Sequence, residues 1–397
     1  MRFFLMLSLS LIIIPIYVYI IIKCIEVYRK MYTKNEHFES EEKQIEEGDD
    51  EGDDKGDDED EEEETSEQPV PQFKDNIVNI YDDKGVAINA ALVVAPMNTS
   101  DKKNYETYKD EIIFLGMTSY LEFPNIVSNK LDVYNDKNHE SWKFDYKNNL
   151  DGWFYCFKDP ENYFSPNKPR LLLSESDFAD EQTLKPDTSV KKKYDFIYIC
   201  HKTDKDEKKC VKDDWVAYNK SLDLAFDCIN IMCTKFKLKG LVVGRKGCEA
   251  LTICKKSLEF TDKLEWNDLV TKYKETKFIF IPSIADASPR VITEALCLDL
   301  PIIVNKNILG GWKYVNEQTG VFFNDLNDFE YNLGILLKNM DTYTPRQYFI
   351  DNYGVVRSGE RMLQFMRQHF SNKLNISNEC RYLMPRFVKK DYQIQQE

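Results

Sequence analysis

The chain has 397 residues, 68 of them acidic and 53 basic, for a formal net charge of −15. That length holds one large or two medium domains with real cores, and the acid excess argues against a globally basic nucleic-acid binder. The ten cysteines include no CxxC pair that would suggest zinc or dithiol redox chemistry, so they read as ordinary thiols, many of them core, in a reducing compartment.

In chain order, FFLMLSLSLIIIPIYVYIII (residues 3–22) comes first, a charge-free apolar run of twenty residues. A helix needs that length to cross a bilayer. The run exceeds a usual signal-peptide core, and no small-x-small cleavage site follows it. Residues 1–22 are therefore expected to be a single-pass transmembrane anchor. Lys23, Arg29, Lys30 and Lys34 follow it, against Arg2 before it, which favours a cytosolic position for the rest of the chain. Sequons at Asn98, Asn219 and Asn375 fit the lumenal side instead, so that alternative stays open. Residues 41–64 hold 17 acids and 2 lysines, a net charge equal to that of the whole chain. Such a run cannot bury a core; residues 23–71 are expected to be a disordered acidic linker, and the remainder is near neutral.

From 72 to 192 the apolar runs AALVVAP (90–96), EIIFLGM (111–117), GWFYCF (152–157) and RLLLSES (170–176) are short and bounded by Asn, Asp, Pro and Lys, as buried strands are. From 193 the rhythm is YDFIYIC (194–200), a helix over 215–236, KGLVVGR (239–245), a helix near 247–257, LEF (258–260), a helix over 266–274, KFIFIPS (277–283), one more helix, and PIIV (301–304). Alternation with short connections argues for a parallel sheet wrapped by helices. Beyond 341, Met362, Phe365, Met366 and Phe370 recur at helical spacing, predicting a terminal helix that packs back toward the first domain.

The helix after KFIFIPS is where chemistry is expected. Ser288 reads as its N-cap and Pro289 as a first-turn residue, so it starts at about 289. Its free N–H groups point toward the carboxyl edge of the sheet, where open α/β sheets bind ligands and a helix N-terminus favours phosphate. Asp286 precedes the cap, and Glu294 lies about a turn and a half inside; both can face one crevice. A lone Glu on an amphipathic helix is usually just solvated, and the loop acid, the cap and the flanking strands are what raise Glu294 above that reading.

An acid, seven residues, Glu-Ala and a strand of the form PIIV resembles the E-x7-E signature of the retaining glycosyltransferases of family 4. The frame is similar too, with IPS before it, NILGGWKYVNEQTGVFF after it, and Lys220 opening the first helix of the domain. FLGMTSYLEFP, GWFYCFKDPENY and LLLSESDF resemble, more loosely, a subgroup from large DNA viruses and algae. The resemblance implies an α/β chain of GT-B fold. Two Rossmann-like domains, a short acceptor-side one at 72–192 and a nucleotide-sugar-binding one at 193–340, would face each other across a cleft, with the helices of 341–397 packing back on the first. It implies a hexosyl- or pentosyltransferase moving a sugar, with retention, from a nucleotide-sugar to a glycan, protein or lipid acceptor, with no cofactor.

On this sequence, Glu294 would accept from the ribose hydroxyls and Asp286 would hold the transferred sugar. Lys220 and the backbone N–H groups of Ala287 and Ser288 would hold the diphosphate. With that charge held by a cation and dipoles, no metal is implied. The first acid is Asp rather than Glu, and where the family has an arginine, near the end of the domain's first strand, His201 and Lys202 stand instead. Arg290 or Arg245 would supply the missing charge. Gly310 and Gly311 form either a plain turn or a loop that approaches the donor closely, and Trp312 beside them either packs or serves as a sugar platform. His139, His201 and His369 read as structural. A dehydrogenase is disfavoured because no G-x-G-x-x-G follows a strand, and an ATPase because no P-loop occurs. The rival reading is a glycosyltransferase-like domain without catalysis, serving as a binding or assembly partner; Asp286 and the short first domain motivate it.

Overall fold

The computed structural model of the protein describes residues 70–119, 123–125, 140–201, 215–245, 254 and 256–388. The expected anchor at 3–22, the acidic stretch at 41–64, most of the expected helix at 247–257, His139 and Lys202 lie outside the described residues. Among the described residues no helix is long and apolar enough to cross a membrane. Residues Gln68–Glu397 form one compact unit.

Two six-stranded sheets organise it. The first contains β1 (Ile77–Asp82), β2 (Ala87–Val93), β3 (Ile113–Met117), β4 (Gly152–Tyr155), β5 (Arg170–Leu172) and β12 (Leu383–Pro385), in the order β12-β1-β2-β3-β4-β5. Strands β2 to β5 are parallel, whereas β1 is antiparallel to both β2 and β12. This half is therefore a mixed sheet rather than a plain Rossmann unit. Its antiparallel edge arises because Asp82–Ala87 is a tight hairpin, with Asp82 N–H donating to Val86 O at 2.9 Å. One face carries an aromatic cluster with Phe73, Phe114, Phe123 and Trp153. The other is covered by a helix, α9 (Gly354–Phe370), whose Met362, Phe365 and Met366 are buried among Val78, Leu115 and Phe154. Each such side chain removed from water stabilises by about 1.5–3 kcal/mol.

The second sheet contains β6 (Tyr194–Ile199), β7 (Gly240–Val243), β8 (Leu258–Thr261), β9 (Thr276–Ile281), β10 (Ile302–Asn305) and β11 (Gly320–Phe323), all parallel, in the order β11-β10-β9-β6-β7-β8. Strand order reverses between β6 and β9, which makes the gap beyond their carboxyl ends the topological switch point of a doubly wound sheet. Both faces are covered: α4 (Leu222–Thr234) and α7 (Leu326–Lys338) on one, α5 (Trp266–Lys274), α6 (Arg290–Cys297) and α8 (Pro345–Asn352) on the other. Burial on both faces explains why these strands read as continuous apolar runs.

Two local expectations are corrected. The helix expected over 215–236 is broken into α3 (Trp215–Asn219) and α4, with Ser221 at φ +47° between them, so Lys220 lies in the break and does not open a helix. Helix α6 begins at Arg290 with Pro289 at the N-cap, and Ser288 is not its cap. The Ser288 hydroxyl is turned away from the helix and bonded across the seam to Ser176. The cysteines at 156, 200, 228, 233, 254, 297 and 380 are free and buried.

Candidate functional site

The break between α3 and α4 and the loop after β9 meet at the switch point. Ile284 N–H donates to Asn219 O at 3.1 Å, and Asn219 Nδ2 donates to Ala285 O at 3.3 Å. This fixes Lys220 beside Asp286, and the two form an ion pair with side chains 18% and 15% exposed. The loop is held from its other side by Gly310 N–H, which donates to Asp286 O at 2.8 Å. A Cβ on Gly310 would lie 1.8 Å from Ala287 O, and one on Gly311, at φ +79°, would lie 2.4 Å from Pro289 Cγ. The glycine pair is thus required by the close approach of the two loops. Trp312 is tied into the packing, its Nε1 donating to Cys156 O at 2.8 Å.

Glu294 is half-buried on α6 and accepts from Tyr273 OH at 3.1 Å. Burial raises its pKa above the ordinary carboxylate value, against the opposing effects of Tyr273, Arg290, Trp266 and Lys220. His201, at the end of β6, is held below the ordinary imidazole value first by burial and then by the cations of Lys263, Lys220 and Arg245. Both effects favour its uncharged form. Among the described residues, His201 Nδ1, Asn219 Oδ1 and Ser221 Oγ are buried with no hydrogen-bond partner, and buried groups of that kind call for an explanation such as a ligand.

Glu294, Arg290 and His201 line a cleft of about 890 Å³ together with Lys263, Trp266 and, from the first half, Glu175 and Phe178. Arg290 is largely exposed, 3.6 Å from Glu175 Oε1. Trp266 presents an indole 44% exposed. Arg245 lies near the same edge but is buried, with Nε 3.2 Å from Cys200 Sγ. Ala287 is buried, in contact with the aromatic cluster of the first half. The structure therefore brings Lys220, Asp286, Ala287, Ser288, Arg290, Glu294, Gly310 and Gly311 to one region and covers Arg245. Lys263, Trp266 and Tyr273 escaped sequence reasoning; the first two follow a strand end in TDKLEW, a weak signal, and Tyr273 has none. Among the described residues no group of three or more His, Cys, Asp or Glu side chains is placed to hold a metal ion.

No protein-family model and no curated protein matches the sequence. Among solved structures, sucrose-phosphate synthase from Thermosynechococcus elongatus is similar with a TM-score of 0.50 at 13% identity, covering 71% of this chain and 74% of that one. The fold is of the GT-B type. A glycosyltransferase from Rickettsia africae (TM-score 0.48, 13% identity, 71% of this chain and 77% of that one) is similar as well. So is TarM (TM-score 0.49, 13% identity), of which the chain spans about half, 54%, while 69% of this chain is covered. In GT-B terms, Lys220, Asp286 and Glu294 belong to the second half, and the first half contributes Glu175 and Phe178 to the cleft wall.

Proposed function

We propose that the protein is a glycosyltransferase that binds a nucleotide-sugar over the switch point of its second sheet and transfers the sugar, with retention and without a metal, to a glycan, protein or lipid acceptor held against the first half. The observation that carries this reading is the Lys220–Asp286 pair beside the N-terminus of α6, which has no side-chain cap. A donor diphosphate recruits Lys220, with the N–H groups of Ala287 and Ser288 and the helix end taking up the rest of the charge. Asp286, released from its cation, is then free to accept from hydroxyls of the sugar. Glu294, already fixed by Tyr273, accepts from the ribose. Lys220 shifts from Asp286 when the donor binds, so charge building on the leaving diphosphate is then met by groups already in place. Residues 3–22 tether the enzyme to a membrane, with the catalytic unit on the cytosolic side.

Incubation with UDP-, GDP- and ADP-sugars, with and without EDTA, followed by NMR of the released or transferred sugar, tests the proposal. The expected result is turnover of one donor, unaffected by EDTA, with the donor's anomeric configuration kept and activity lost in Asp286→Asn. Nucleotide binding without turnover of any donor would favour the binding-protein reading instead.

A further inference from the structure

Behind the donor loop a polar network crosses from one half of the fold to the other. The Ser288 hydroxyl donates to Ser176 Oγ at 3.1 Å and accepts from Ser176 N–H at 2.9 Å. Ser176 Oγ lies 2.9 Å from Tyr314 OH, and Tyr314 OH donates to Asp177 Oδ1. Lys313 Nζ stands 2.5 Å from Asp177 Oδ2 and 3.2 Å from Ser174 Oγ, with the Lys313 and Asp177 side chains 5% and 0% exposed. With the Tyr314 proton given to Asp177 and the Ser288 proton to Ser176, the bond between Ser176 and Tyr314 is left to the Ser176 proton. The hydroxyls therefore point one way: Ser288 to Ser176, Ser176 to Tyr314, Tyr314 to Asp177. Asp177 is itself fixed on the first half, its Oδ2 accepting from Ser174 N–H at 2.8 Å and its carbonyl from Ser358 Oγ at 2.8 Å.

A buried charged pair costs desolvation and is weak evidence for stability in its own right; its effect here is to set direction. We propose that Ser176 and Asp177, on the first half, are positioning residues for the Ala287–Ser288 turn on the second, so that the anion-holding end of the donor site is complete only when the two halves are docked. The Ser288 hydroxyl is consumed in the seam, leaving that residue only its backbone N–H to offer a ligand. The importance of the turn for a donor rests on the proposed transferase reading; its dependence on Ser176 and Asp177 does not.

Hydrogen–deuterium exchange on the ligand-free full chain tests the dependence. Ser176→Ala, Ser288→Ala and their double variant are compared with wild type for peptides spanning 284–292, with peptides spanning 240–245 as the control. Loss of one hydrogen bond is expected to speed exchange of the turn roughly three- to tenfold. Ser176→Ala removes only the hydroxyl–hydroxyl bond and keeps the Ser176 N–H donor, whereas Ser288→Ala removes both bonds. Ser288→Ala should therefore be the faster single, the double variant should be no faster than Ser288→Ala, and the control should not change. Asp177→Asn should also speed exchange of the turn. Tyr314→Phe, which keeps the ring and removes the hydroxyl bonded to Asp177, should reproduce part of the effect and replaces Asp177→Asn if that variant fails to fold. Unchanged exchange of the turn in both single variants, or equal acceleration of the control, overturns the inference. Binding of UDP, GDP and ADP is measured in parallel. If wild type binds none of them, the transferase reading fails while the exchange result still decides the positioning role; if one binds, its affinity should fall by the same factor as protection of the turn.

Discussion

Glu294 and Asp286 occupy different surroundings, and different losses are expected on removing their charges. Glu294→Gln keeps shape and removes a charge-assisted hydrogen bond, worth about 1.5–3 kcal/mol, so nucleoside diphosphate affinity measured by calorimetry should fall roughly ten- to a hundredfold. Asp286→Asn should lower turnover with nucleotide binding largely kept, because sugar contacts matter most as charge develops in the transition state. Glu294 also predicts a pH dependence. Its pKa is raised above the usual carboxylate value, chiefly by burial, so the folded chain binds a proton that the unfolded chain releases at lower pH. The group's contribution to stability therefore declines as pH rises from the unfolded value through the raised one, while on the proposed reading, in which the charged form accepts from the ribose, donor affinity grows over the same window. Calorimetric titrations across that window should show affinity rising with pH in wild type and a shallower dependence in Glu294→Gln, where His201 in the same cleft and the ligand's own phosphate still titrate. Gly310→Ala sets a Cβ against the Ala287 carbonyl, and urea denaturation should show a loss of about 1–3 kcal/mol from that overpacking.

Helix α9 shares the cover of one face of the first sheet with residues 374–388, and it supplies Val355, Met362, Leu363, Phe365 and Met366 to that core. Met362→Ala should destabilise by about 2–5 kcal/mol, read as a shift of the denaturation midpoint at constant slope. The apolar spacing of Met362, Phe365 and Met366 is visible in the sequence, as are the parallel strands, because burial on both faces leaves uninterrupted runs such as KFIFI. Other elements leave no such trace. Strand β1 includes a buried Asn79 that accepts from Phe73 N–H, and helix α1 (Thr99–Tyr108) buries only Asp101 and Tyr105, so neither shows a clean period. The acid pair could be found because a loop, a cap-like Ser-Pro and a helix sit within nine consecutive residues. The Asp177 network could not, since its partners lie 136 and 137 residues apart and Ser288 looks like a cap until the fold offers Ser176 a better geometry.

At the scale of the molecule, Gln68–Glu397 has its own two sheets and cores. A chain lacking residues 1–67 should therefore fold with an unchanged thermal midpoint and the same nucleotide affinity; loss of folding on that truncation would contradict this independence. Within the unit, the seam between the sheets carries both the cleft and the contacts that shape the loop after β9, so site and architecture are hard to separate by mutation except at Lys220, which lies in a helix break with its side chain directed to that loop rather than into a core. The most direct test is calorimetric titration of wild type and Lys220→Met with UDP, GDP and ADP, beside their denaturation curves. One diphosphate is expected to bind wild type, with affinity at least tenfold lower in Lys220→Met. That variant leaves the Asp286 carboxylate unpaired and should lose stability but stay folded at the temperature of the titration. Absence of binding by all three, or equal affinity in the variant, would contradict the proposal.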